Sequence, residues 1–137
     1  MEVLIIYAGG GMKNIARGIA EGVEKNGHSS KMIDANQRDR PISFHKFDLV
    51  AVGAPTKGIF RGSVPAELSE TLKKCKRTVG QESVAFVTPR LFATSDALKK
   101  VMGEMEKLGC VVRNFRSLKS YSDAVEFGKG FSYERSR

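Results

Sequence analysis

The sequence predicts a single α/β domain, a doubly wound parallel sheet of five strands with helices on both faces. Three observations carry this expectation. Short apolar, β-branched runs recur along the chain, and they are nearly continuous rather than alternating, as expected of strands covered on both faces. Turn residues and then a helical apolar spacing follow these runs, and strands that alternate with helices give parallel sheets with right-handed crossovers. The chain has 137 residues and 41% hydrophobic content, enough for one domain with a core of its own. No internal repeat or linker divides residues 1–137.

The first strand is "EVLIIY". Three glycines, Gly9 to Gly11, then lead into a helix on which Met12, Ile15, Ala16, Ile19, Ala20 and Val23 form one apolar face. Gly27 supplies its C-terminal stop. "SKMIDA" is a short second strand, and the polar stretch "NQRDRPISFHKF" lacks a helical face and reads as an irregular connection. "FDLVAVG" is the third strand. A second helix is expected over about residues 64–76, with Pro65 in its first turn, where a missing N–H is harmless. "SVAFVTP" is the fourth strand. The next helix is expected to follow Ser95 as N-cap, with Leu98, Val101, Met102, Met105 and Leu108 on one face. "CVVRNF" begins a fifth strand after Gly109. The tail "SDAVEFGKGFSY", residues 122–133, reads as a last helix weakened by its glycines.

Composition narrows the function. No apolar run is long enough for a transmembrane helix. Met1 leads directly into a strand, without a signal peptide's basic flank or cleavage site, so a cytoplasmic location is expected. Cys75 and Cys110 belong to no CxxC pattern and read as a reduced, partly buried pair. His28 and His45 have no partners at metal-ligand spacing, so no metal site is expected. Lys and Arg number 23 against 15 Asp and Glu, a formal net charge of +8, which favours anionic ligands or acidic partners. The basic residues are scattered, so nucleic-acid binding is not the expected role.

In a doubly wound sheet ligands bind at the C-terminal ends of the strands. Three loops leave those ends: "AGGGMKN", "GAPTKGIFRGSVP" and "TPRLFATSD". The first offers backbone N–H groups from Gly9, Gly10, Gly11 and Met12, together with Lys13 and Asn14, at a positive helix N-terminus suited to a phosphate. The same glycines also fit a plain tight turn. In the second, Pro55 stiffens the exit, Thr56 and Gly58 offer a hydroxyl and an open backbone, Lys57 adds charge, and Phe60 offers a ring that could cover a planar ligand or anchor the loop. The third repeats the theme with Pro89, Arg90, Leu91, Phe92 and Thr94. No catalytic acid, base or nucleophile constellation stands out.

These segments resemble the flavodoxins and related flavodoxin-like proteins over nearly the whole chain. "VLIIYAGGGMKNIARGIAEGVEKNG" is similar to the family's first strand, phosphate loop and helix. "DLVAVGAPTKG" is similar to its third strand and the loop beside the flavin, and "AFVTPRLFATSDALKKVMGEMEKLGCVV" to its fourth strand, second flavin loop and next helix. "AVEFGKGF" resembles a last helix often found there. The resemblance implies a sheet in the order 2-1-3-4-5. It also implies FMN held non-covalently, its phosphate on Gly9 to Asn14 and its ring between the loops Pro55 to Phe60 and Pro89 to Phe92. The activity implied is electron transfer, or flavin-dependent reduction, with a redox partner protein that the basic charge suggests is acidic.

Three departures stand beside the resemblance. The family's phosphate loop presents several Ser and Thr hydroxyls, and residues 8–13 here present none. A hydrogen bond to a charged group is worth about 1.5–3 kcal/mol, which Lys13 recovers only in part. The chain has no Trp for the flavin flank, and it is basic where flavodoxins tend to be acidic. A dinucleotide site is a rival, since Gly9 and Gly11 open a near GxGxxG and Asp34 ends the second strand, but Asn14 replaces the third glycine. A phosphoacceptor receiver domain fails, because Ala8, Gly9, Gly53 and Ala54 occupy the positions its carboxylates need. The alternative that remains is a module of this fold without flavin, binding another anion or an acidic protein through Lys13, Lys57, Arg61 and Arg90.

Overall fold

The computed structural model describes residues 1–37, 41–58 and 62–132. Strand β1 (Glu2–Tyr7) runs through the interior, with every residue from Val3 to Tyr7 buried. It pairs in parallel with β2 (Ser29–Asp34) on one side and β3 (Leu49–Pro55) on the other. β4 (Glu82–Thr88) pairs with β3, and β5 (Val111–Ser117) with β4, so the order is β2-β1-β3-β4-β5. This is the doubly wound order 2-1-3-4-5 that the resemblance implies.

Strand periodicity divides the core. Val3, Ile5, Leu49, Ala51, Val84 and Phe86 point to one face, under α1 (Met12–Lys25) and α4 (Tyr121–Lys129). Leu4, Ile6, Val50, Val52, Ala85 and Val87 point to the other, under α2 (Ala66–Lys73) and α3 (Thr94–Lys107). Burying one large aliphatic side chain stabilises the fold by about 1.5–3 kcal/mol, so the three inner strands anchor the site. No described helix is long and apolar enough to cross a membrane.

Three expectations change. The second helix stops at Lys73, because Cys75–Lys76 pairs in parallel with Ile42–Ser43 as a small two-stranded ribbon. The buried Ile42 and Phe44 draw the irregular stretch onto the core there. The third helix starts at Thr94 with Ala93 at the N-cap and no side-chain cap, so Ser95 lies inside the first turn. The last helix starts at Tyr121, where the Ser120 side chain accepts a hydrogen bond from the Asp123 N–H at 3.1 Å. Its assigned end is Lys129, and Tyr133 lies outside the described residues.

Gly128 of α4 and Gly22 of α1 are required by packing. A Cβ on Gly128 would stand 2.2 Å from the Ile19 carbonyl oxygen, and one on Gly22 would stand 2.1 Å from that of Val125. Backbone meets backbone where α1 crosses α4. Tyr121 secures the crossing by donating its hydroxyl to Glu21 Oε1 at 3.1 Å, and Asn26 Nδ2 donates to the Lys129 carbonyl.

Candidate functional site

β1 and β3 are neighbours, but the chain leaves β1 toward β2 on one side and later returns to β3 on the other. Their C-terminal ends therefore open the crevice at which the winding reverses. At the end of β1 the Ala8 N–H donates to the Gly53 carbonyl at 3.2 Å. The chain then turns through Gly9 at φ +102° and Gly11 at φ +78°, left-handed conformations that side chains strain. A Cβ on Gly9 would stand 2.6 Å from Pro55 Cδ and 3.2 Å from Pro65 Cγ, so this turn lies directly on the second loop.

Gly10 and Gly11 face open space. Gly11 is the N-cap of α1, no side chain caps the helix, and its first turn carries no acid. The orphan amides of that turn are left for an external acceptor. Lys13 and Asn14 are exposed beside them, whereas the Met12 side chain is fully buried in the core. Only the Met12 backbone can serve a ligand.

The second loop leaves β3 at Pro55. The Thr56 N–H donates to the Thr88 carbonyl at 3.1 Å, which ties this loop to the end of β4. Thr56 is 5% exposed, and its Oγ1 is buried without a hydrogen-bond partner among the described residues. An unsatisfied buried polar group costs about 1–3 kcal/mol, so such an oxygen calls for a partner. Lys57 and Ser63 exchange backbone hydrogen bonds of 2.8 and 2.9 Å and close the loop at its base. Lys57 and Gly58 are exposed, with Gly58 at φ +89°, while Phe60 and Arg61 lie outside the described residues.

The third loop stands against the second. A Cβ on Gly62 would come within 1.9 Å of the Ala93 carbonyl oxygen, and the Gly62 N–H reaches Asp96 Oδ2 at 3.4 Å. The Arg90 N–H donates to Thr94 Oγ1 at 3.1 Å, and Leu91 adopts φ +42°. Pro89 and Arg90 are exposed, and Leu91 and Phe92 are 71% and 75% exposed. Among the described residues no carboxylate forms an ion pair with Lys13, Lys57 or Arg90, so the rim stays cationic.

Comparison with known structures agrees with this fold over most of the chain. The fold is flavodoxin-like. Oxidised flavodoxin 1 of Bacillus cereus superimposes with a TM-score of 0.71 at 16% identity, covering 96% of this chain and all of that one. A flavodoxin-like WrbA-like protein of Agrobacterium tumefaciens gives a TM-score of 0.65 at 14% identity, covering 93% of this chain and 92% of that one. A flavodiiron core from Synechocystis gives 0.66 at 20% identity, and there the match covers 94% of this chain but 34% of that one. No protein-family model matches the sequence, and no curated protein does.

The flavodoxin-like fold brings the three sequence-predicted loops to one edge and ties them together. Gly9 abuts Pro55, the Thr56 N–H is bound to the end of β4, and the third loop braces the second. Gly62, Ser63 and Asp96 position the site without standing out in the sequence, while Thr94 belongs to the predicted third loop. The Gly62–Asp96 contact joins groups 34 residues apart, which nothing in local spacing signals. The unpartnered state of the Thr56 hydroxyl likewise emerges only from its surroundings.

Proposed function

We propose that this protein binds FMN non-covalently at the C-terminal edge of the sheet and works in electron transfer or flavin-dependent reduction. One observation carries the reading. The Thr56 hydroxyl, buried and without a hydrogen-bond partner among the described residues, lies at the reversal point of the sheet, next to a helix N-terminus that no side chain caps and that is entered through an open glycine turn. The donor set fits the group. Amides from Gly9 to Asn14, with the Lys13 ammonium, would take the phosphate. Thr56 would bond the polar chain that joins phosphate to ring. The loops of Pro55 to Gly58 and Pro89 to Phe92 would flank the ring and limit its contact with water.

Bound FMN supplies redox chemistry at its ring, and the protein tunes it through nearby amides and charges. Lys57 and Arg90 on the two flanking loops favour added negative charge on the ring and would raise its potential. An acidic redox partner belongs to the same reading. The hydroxyl-free segment 8–13 favours a second one, a flavodoxin-fold module that has lost the flavin and binds another anion or an acidic protein.

A visible spectrum of purified protein, followed by an FMN titration of any colourless fraction, tests the proposal. Flavin bands or saturable quenching at one equivalent are expected, with affinity reduced at least tenfold in Gly10→Asp, which places a like charge beside the phosphate. Absence of binding at high FMN overturns the reading in favour of the flavin-free module. Unchanged affinity in Gly10→Asp overturns the phosphate placement.

A further inference from the structure

An open groove of about 370 Å³ runs between α2 and α3, on the outer side of the sheet from α1. Val64 and Pro65 form an apolar floor at one end, Ser69 lines the α2 wall, and Lys100, Gly103 and Lys107 line the α3 wall. Glu104 is the one lining carboxylate, and it is spoken for by Lys107 at 3.6 Å. Lys100 has no ion-pair partner among the described residues. Lys73 follows Ser69 one turn later on the same helix face, and the exposed Lys74, Lys76 and Arg77 continue the positive charge past the helix end. None of these four forms an ion pair among the described residues either. Part of this charge complements the C-terminal end of α2, but Lys100 and Lys107 lie on the other helix.

We propose that this groove docks an acidic segment of a partner protein. An apolar side chain of that segment seats on Val64 and Pro65, while its carboxylates meet Lys100 and, further along, Lys73. The chemistry favours a polypeptide over other polyanions. Phosphate binding makes no use of an apolar floor, and among the described residues no aromatic side chain lines the groove to stack a base. A lipid surface calls for protruding apolar groups rather than a concavity. A second copy of this chain is repelled by the formal charge of +8 on each partner. The groove joins the candidate flavin loop through Ser63, whose backbone pairs with Lys57, so an occupied groove would lie behind that loop. The proposal does not depend on bound flavin.

Fluorescence anisotropy with a labelled twelve-residue peptide of alternating Glu-Glu and Leu-Leu pairs tests it at low salt. One-to-one saturable binding is expected, weakened at least tenfold in Lys100→Glu and in Gly103→Leu, and within twofold of the parent in Lys99→Glu. Gly103→Leu is the informative variant. A Cβ there meets nothing within 4 Å, so a side chain can be added at the groove wall without changing charge. An unchanged or raised melting temperature verifies that its fold is intact. No saturable binding, or binding that survives Gly103→Leu, overturns the proposal. Equal loss in Lys99→Glu and Lys100→Glu also overturns it, as does displacement of the peptide by oligothymidylate or phosphatidylserine vesicles that themselves bind Gly103→Leu unchanged. Those results would mark a general polyanion surface.

Discussion

Gly9 and Pro55 touch across the crevice at which the sheet reverses its winding. A Cβ on Gly9 would stand 2.6 Å from Pro55 Cδ, and Gly9 holds φ +102°. The contact fixes the end of β1 against the exit of β3, so two loops from distant parts of the chain act as one wall. Gly9→Ala is expected to destabilise the fold by about 2–4 kcal/mol, from backbone strain and overpacking together. Gly10→Ala, next in sequence but facing open space, is expected to change stability by less than about 1 kcal/mol. Urea denaturation of the two variants side by side checks both values.

Thr56→Val separates ligand binding from folding. Valine keeps the shape and removes a buried oxygen that has no partner among the described residues. The flavin-free protein should gain about 1 kcal/mol of stability, while FMN affinity falls about tenfold, because one bond to the ligand is lost. Thermal melts with and without FMN read both changes at once. A loss of stability in the flavin-free variant would mean that the hydroxyl has a partner within the chain.

The α1–α4 crossing makes an equally sharp case. Alanine is intrinsically a better helix former than glycine by about 1 kcal/mol. At Gly22, however, a Cβ would stand 2.1 Å from the Val125 carbonyl oxygen and 2.7 Å from the Lys129 nitrogen. Gly22→Ala should therefore destabilise by about 3 kcal/mol or more, since backbone cannot rotate away as a side chain can. A higher urea midpoint in Gly22→Ala would refute the close crossing.

The alkaline limit of stability depends on a thiol. Burial, and then the neighbouring Cys110, push the Cys75 thiol from its ordinary value of 9.0 up to about 12. The folded chain thus keeps a proton that the unfolded chain releases. The resulting stability is present in full below about pH 9 and is lost as pH rises from there through about 12. Urea midpoints should fall between pH 8.5 and 10.5, and less steeply in Cys75→Ala than in the parent chain.

Much of this fold was legible in one dimension. The runs that became β1, β3 and β4 are apolar on both faces because both faces are covered, and residues 12–23 carry the period of a half-buried helix. The three site loops were legible as well, since glycine and proline mark where such strands end. The side-chain assignments were less so. Met12 belongs to the core although its neighbours face open space, because the first apolar position of an amphipathic helix falls beside the turn it leaves.

The sequence by itself determined the alternation of strand and helix, the identity of the buried runs and where the three loops leave their strands, all of which follow from local periodicity and turn chemistry. Tertiary structure alone decided the rest. It ended α2 at Lys73, because Cys75 and Lys76 pair with Ile42 and Ser43 more than thirty residues away. It turned Gly128 from a weak point of α4 into the only residue type that fits against the Ile19 carbonyl. It left the Thr56 hydroxyl buried and, among the described residues, unpaired. Each of these is a meeting of groups remote in sequence, and hydrophobic periodicity records which side of an element is buried but not which atoms it is buried against.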